Sequence, residues 1–224
     1  MKHVLFLFIC CSLMMPRAAF SQDANEATEP SVKGAGVINL LAGGTLDTWK
    51  VPSVRWHIEG ESLVGQTGTD KLRSPEFIYT KQHFGNFEFT CEARLTGDPH
   101  RNTGIYYRVS TILFQGKYEA PSGYEFDVAP SDNFWGSVGD WYVRPKLRVY
   151  ADQAIINQTV KPEDWNRMTM RARGNRVEYW INGIKVMDFV DHDPNGSREG
   201  MIGFQMHDGT VMKVEYRNIR VLPL

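Results

Sequence analysis

Arg176 to Phe189 reads RVEYWINGIKVMDF. Asn182-Gly183 stands between two runs rich in β-branched and aromatic residues. A tight two-residue turn needs positive φ at both central positions, which asparagine and glycine adopt at least cost. The stretch therefore predicts an antiparallel hairpin, and the fold grows outward from it. Trp165 to Arg173 on one side and Met212 to Val221 on the other read as further strands. WHIEGESLVGQ, Trp56 to Gln66, predicts a second hairpin turning near Glu59-Gly60. FEFTCEARL alternates, with Phe87, Phe89, Cys91, Ala93 and Leu95 on one face and Glu88, Thr90, Glu92 and Arg94 on the other. No long stretch shows helical periodicity, and no repeat of fixed period appears. The chain has 224 residues, 42% of them hydrophobic, which is enough for one sizeable core. These features predict an all-β domain built as a sandwich of two antiparallel sheets, with a closed barrel as the alternative.

The N-terminus, MKHVLFLFICCSLMMPRAAFSQ, has a short basic start, an apolar run from Val4 to Met15 and small residues before Ser21. That layout predicts a signal peptide over residues 1–21 and a periplasmic or secreted address. The apolar run is too short to span a bilayer as a helix. Residues 22–36 are polar and aperiodic and read as a flexible leader, which leaves 37–224 as the folded domain. Signal removal takes away Lys2 and Arg17 and no acid, so the net charge of −1 becomes −3. No charge excess points to nucleic acid or an anionic membrane. Cys91 is then the one cysteine left, and its place on the apolar side of a strand predicts a core residue.

The chemistry lies on the polar faces of three strands. In GYEFDVAP, Tyr124, Phe126 and Val128 share one face, and Glu125 and Asp127 share the other. In NTGIYYRVS, Ile105, Tyr107 and Val109 alternate with Gly104, Tyr106 and Arg108. In GMIGFQMHDG, Ile202, Phe204 and Met206 alternate with Gly203, Gln205 and His207. If the strands are neighbours, one face gathers two carboxyls, a guanidinium, an imidazole, an amide and a phenol, a set suited to sugar hydroxyls. Solvated charges on three unrelated strands are the competing reading. Gly104 and Gly203 suggest a close approach by a ligand or another backbone. Trp135, Trp141, Tyr142, Arg144 and Lys146 fall in a Gly-containing loop, where exposed aromatics would stack on a sugar ring and buried ones would only pin the loop. Trp56, Trp165 and Trp180 lie in regular strands and are expected in the core.

Several chemistries lack their residues. A sandwich-fold endoglucanase would carry Glu, Asp and Glu at spacings of two and three, but the third position is Pro130. No G-x-S-x-G, H-E-x-x-H or paired cysteines occur. A divalent cation held by Glu125, Asp127 and His207 is one arrangement the set allows.

LLAGGTLDTWK, WHIEGESLVG, FGNFEFTCEARL, NTGIYYRV, GYEFDV, DWNRMTMRARGNRVEYWINGIKVMDF, GMIGFQMHDG and VEYRNIRVLPL follow one another in this order. Together they resemble the 3-keto-disaccharide hydrolase domain family over residues 37–224. The resemblance implies a concanavalin A-like jelly roll and a periplasmic or secreted enzyme acting on 3-keto-glycosides, as hydrolase or as 1,2-lyase and hydratase. It implies His207 or Glu125 as the base and Arg108, with or without a divalent cation, at the enolate. Tyr106, Asp127, Gln205, Trp135 and Lys146 would bind the small carbohydrate substrate. The Phe134–Tyr150 loop and the acid at 127, where the family often has an amide, depart from the pattern. A non-catalytic sugar-binding module on the same sandwich is the second reading.

Overall fold

A computed structural model describes residues 28–130 and 134–224. The expected signal peptide lies outside the described residues. In chain order the strands are β1 (Ile38–Asn39), β2 (Trp49–Lys50), β3 (Trp56–Glu59), β4 (Ser62–Gln66), β5 (Glu76–Thr80), β6 (Phe87–Gly97), β7 (Thr103–Phe114), β8 (Tyr118–Val128), β9 (Val138–Gly139), β10 (Arg148–Val149), β11 (Asn166–Arg173), β12 (Arg176–Ile181), β13 (Ile184–Val190), β14 (Met201–Met206) and β15 (Met212–Pro223). One short helix, α1 (Gln153–Thr159), starts at Asp152, whose carboxylate accepts from the Ala154 and Ile155 amides.

The strands form two antiparallel sheets. Sheet A runs β13-β12-β11-β6-β15-β4-β3, with β1 also paired to β15. Sheet B runs β10-β9-β8-β7-β14-β5-β2. The Asn182-Gly183 turn has φ of 50° and 92°, as the hairpin requires. Phe87, Phe89, Cys91, Ala93 and Leu95 of β6 all point into the core. They meet Ile105, Phe126 and Phe204 of sheet B. Phe126 stacks on Tyr179 with centroids 4.0 Å apart, and Phe204 on Tyr216 at 3.9 Å. Each such ring removed from water contributes about 1.5–3 kcal/mol. Burial pushes the Cys91 thiol pKa well up, with Glu92 adding to it, so the thiol stays protonated.

Three expectations need correction. Residues 28–36, assigned to a flexible leader, begin with an ordered contact: Glu29 binds Arg167 Nη2 at 2.6 Å and Thr169 at 2.7 Å, and Val32 is buried. Trp165 is only half-buried; it lies between the guanidinium groups of Arg94 and Arg217, at 4.7 and 4.1 Å. Trp180 is buried but on the outside of sheet A, beneath Arg171 and Lys185.

The outer face of sheet A satisfies its charges. Arg94 pairs with Glu215 at 2.7 Å, Arg171 with Glu88 at 2.9 Å, and Lys185 with Glu178 and Asp188, both at 2.6 Å. This is the ordinary wet face of an antiparallel sheet. Sheet B is different.

Candidate functional site

β8, β7 and β14 are consecutive in sheet B, so the three strands singled out by alternation are neighbours. Tyr106 faces Glu125 across the β7–β8 ladder, Gly104 faces Asp127, and Gly203 faces Tyr106 across β7–β14. Glu125, Asp127, Tyr106 and Gln205 thereby share the outer face, all of them buried. Their cover is aromatic. Phe77, Tyr79 and Tyr106 form a second apolar cluster outside the main core, joined by Tyr118 and Tyr142. Tyr142, from the loop between β9 and β10, meets Phe77 edge-on at 6.0 Å and Phe114 at 5.0 Å. The distal β7–β8 hairpin thus curls over the face to meet that loop.

No arginine or lysine pairs with Glu125 or Asp127 among the described residues, unlike the acids of sheet A. Burial pushes the Glu125 carboxyl up to about 8, against the opposing effect of Tyr106 and Trp141. The Tyr106 hydroxyl donates toward this carboxyl, and its own pKa is raised by burial first and then by Glu125. The Trp141 indole N–H faces the same carboxyl, close enough to lower its pKa, but without the alignment of a formed hydrogen bond. Asp127 is raised well above the carboxylate range by burial, then by Glu125. Its Oδ1 is buried without a partner. The two carboxyls titrate as a pair, and burial shifts that pair toward its protonated form.

The two glycines have a physical explanation other than a ligand. A Cβ at Gly104 would overlap the Glu125 carboxyl, and one at Gly203 would run into the Tyr79 ring. Glycine opposite the acid lets its carboxylate lie flat across the neighbouring strand. Gly139 does the same for the Trp141 ring.

Arg108 does not join the set. Between Tyr107 and Ser110 the β7–β8 register shifts, and Arg108 takes a positive φ of 51°. Two residues, Arg108 and Val109, then oppose Gly123 alone, which is a bulge. The bulge inverts parity: Val109 goes to the outer cluster, and Arg108 turns toward the inter-sheet side. Its guanidinium donates to Gly85 O and Gly174 O, both at 2.7 Å, and to Asn86 Oδ1 at 3.2 Å. It ties sheet B to turns of sheet A. Gly123 and Gly200 make room for the bulge, since a side chain at either would strike the Arg108–Val109 backbone.

His207 stands one residue past β14 with 41% of its side chain exposed. Its Nδ1 lies 2.8 Å from Asp208 O, so its hydrogen bonding is with its own neighbour rather than with the carboxyl pair. Trp135 packs against the main core and lines a separate cavity of about 200 Å³ with Arg101 and Ile156. Lys146 is exposed on the loop. No three His, Cys, Asp or Glu side chains converge on a common point among the described residues, so Glu125, Asp127 and His207 do not assemble as a metal cage.

Two residues that the alternation did not single out complete the site. Tyr79 stacks on Phe77 at 6.0 Å, and its hydroxyl is buried without a partner. Arg144 pins the roof: it binds Asp140 at 2.8 Å and Asp191 at 2.7 Å, and its guanidinium lies 5.2 Å from the Tyr124 ring centroid. The sequence carried a signal for Tyr79, since in EFIYT it shares parity with Phe77.

Among solved structures, a candidate glycosyl hydrolase from Parabacteroides distasonis ATCC 8503 aligns with a TM-score of 0.63 at 23% identity, covering 84% of this chain and 94% of that one. The carbohydrate-binding module CBM66 from Bacillus subtilis aligns at 0.51 and 14% identity, covering 77% and 94%. The Crh5 transglycosylase in complex with NAG aligns at 0.53 and 12%, covering 88% and 89%. At these identities the likeness is one of fold, and it establishes the concanavalin A-like sandwich. No curated protein matches the chain. Residues 36–222 match one family model, almost the whole described domain, and the chain belongs to the 3-keto-alpha-glucoside-1,2-lyase-like domain family.

Proposed function

We propose that this protein is a periplasmic or secreted enzyme that cleaves 3-keto-glycosides by elimination across C1–C2 followed by hydration, with Glu125 and Asp127 as the working pair. The observation that carries the proposal is a buried carboxyl pair without a cation on the outer face of sheet B, whereas Glu88, Glu178 and Glu215 on the outer face of sheet A each pair with Arg or Lys. A carboxyl with a pKa near 8 is a stronger base, once ionised, than an ordinary carboxylate.

The steps follow from that pair in its singly ionised state. The Glu125 carboxylate takes the C2 proton, which the neighbouring ketone acidifies, and the electron pair moves into a C2–C3 enolate. The enolate oxygen meets the Tyr106 hydroxyl or the Gln205 amide, which share the face of the carboxyl pair. The enolate then collapses to a C1–C2 double bond. The C1–oxygen bond breaks, and the departing oxygen takes the proton of the Asp127 carboxylic acid. Water adds at C1 and a proton returns to C2, which yields the free 3-keto sugar. A sugar ring reaches the pair only when Trp141 and Tyr142 swing aside. His207 has weaker support as the base, because it lies beyond the strand end and in water.

Incubation with a 3-keto-glucoside in D₂O tests the reading. The expected result is loss of the glycoside with deuterium at C2 of the product. Binding of unoxidised glycans without turnover of any 3-keto-glycoside would instead favour a binding module on the same fold.

A further inference from the structure

The tip of the β9–β10 hairpin, Asp140 to Leu147, carries two of the rings that cover the carboxyl pair. β9 and β10 are joined through Gly139–Arg148 and Val138–Val149. Beyond that short anchor, side chains hold the tip down. Trp141 sits in the space left by Gly139, with its N–H toward the Glu125 carboxyl. Tyr142 meets Phe77, Phe114 and Tyr118. Arg144 binds Asp140 within the tip and reaches across to the turn after β13, to Asp191 at 2.7 Å and Asp193 at 3.5 Å.

Three observations mark this tip as a moving part. Its closed position leaves polar atoms unsatisfied: Asp140 Oδ1, Trp141 Nε1 and Arg144 Nη2 are all buried without a partner. Each such atom costs about 1–3 kcal/mol, and water supplies the missing partner once the tip lifts. Its backbone bonds run within the tip, from the Asp140 N–H to Leu147 O, the Arg144 N–H to Asp140 O and the Leu147 N–H to Arg144 O, so lifting breaks no strand pairing. Asp191, the anchor on the far side, keeps donors when Arg144 leaves: the Tyr124 hydroxyl and the Asp193 amide both bind its carboxylate. Release of the arginine therefore does not orphan a buried charge.

We propose that residues 140–147 are a lid over Glu125 and Asp127, and that the Arg144–Asp191 ion pair is its latch, setting the fraction of molecules open to substrate. The identity of that substrate rests on the 3-keto-glycoside reading; the lid itself does not. A substrate that binds only the open form has its affinity reduced by the open fraction, so a weaker latch lowers KM. It leaves kcat nearly unchanged, because Glu125, Asp127 and Tyr106 stand on β7 and β8 rather than on the lid.

Asp191→Asn removes the charge of the latch and keeps an oxygen for Tyr124; Arg144→Gln removes the guanidinium. Exchange of indole N–H groups, followed by NMR, reads the lid without any substrate. The Trp141 N–H is buried in the closed lid, and the Trp49 N–H donates to Leu40 O in the core at 2.9 Å. The expected result is Trp141 exchange about tenfold or more faster in both variants, with Trp49 unchanged. KM for a 3-keto-glucoside should fall about threefold or more in the same variants, with kcat within about twofold. Trp141 exchange that neither variant alters, or that rises only together with that of Trp49, would overturn the lid. Faster Trp141 exchange with an unchanged KM would overturn the latch's control of access. If Arg144→Gln does not fold, Asp191→Asn decides both points. If the wild type turns over no 3-keto-glycoside, that activity fails, and indole exchange still decides the lid.

Discussion

Glu125 lies flat across β7 because position 104 has no side chain. A methyl group there cannot coexist with the carboxyl where it now lies, so the carboxyl has to move. Gly104→Ala should therefore misplace the acid without emptying the site. We expect kcat/KM on a 3-keto-glucoside to fall about 100-fold or more, as for other displaced acid–base groups. Thermal unfolding should register a cost of about 1–3 kcal/mol for the overlap. An active, fully stable Gly104→Ala protein would mean that the carboxyl's position is unimportant. The alternation of GYEFDVAP was enough to place Glu125 and Asp127 on a common face. It could not reveal that they would be buried, because the covering rings come from a loop and from the far end of a hairpin. Nor could it tell a glycine that accommodates a ligand from one that accommodates a carboxyl.

Among the elements, β7 is where the sequence reading and the structure part. Strict alternation put Arg108 beside Tyr106. The bulge turned it to the opposite side, where burial pulls its pKa below the usual arginine value and carbonyls hold its charge. A positive φ at arginine leaves no mark in the sequence beyond the two glycines, Gly123 and Gly200, that accommodate the bulge from neighbouring strands. Arg108 thus becomes a bracket between sheets rather than an enolate stabiliser. Arg108→Ala should cost about 3 kcal/mol in denaturant unfolding, since it deletes three buried hydrogen bonds from a charged donor. The pH dependence of whatever activity the folded fraction retains should be unchanged. A shifted pH profile in a fully stable Arg108→Ala protein would return the residue to the site. The hairpins, by contrast, were readable from the sequence because Asn182-Gly183 and Glu59-Gly60 carry their turn chemistry locally.

For the molecule as a whole, the two sheets respond to pH in opposite senses. Burial raises the pKa values of Glu29 and Glu215, but Arg and Lys partners outweigh it and leave them, like that of Asp188, lowered; that stability is lost as pH falls through their folded values. Glu125 and Asp127 are raised. The folded chain holds protons that the unfolded chain releases from about pH 4 upward, so stability declines as pH rises through about 8. Thermal unfolding should therefore peak at about pH 4–5 and decline toward about pH 8, and Glu125→Gln should flatten that alkaline limb. An unchanged alkaline limb in that variant would show that Glu125 is ionised in the folded protein at neutral pH. No helix among the described residues is long and apolar enough to cross a membrane.

The most direct test is the pH dependence of kcat/KM for a 3-keto-glucoside, measured on the wild type and on Glu125→Gln. The account predicts a wild-type rate that climbs through a pKa of about 8, as the carboxyl pair gives up its first proton. It predicts a Glu125→Gln rate lower by about 100-fold or more, without that climb. A Glu125→Gln protein that keeps the wild-type rate and profile would contradict it.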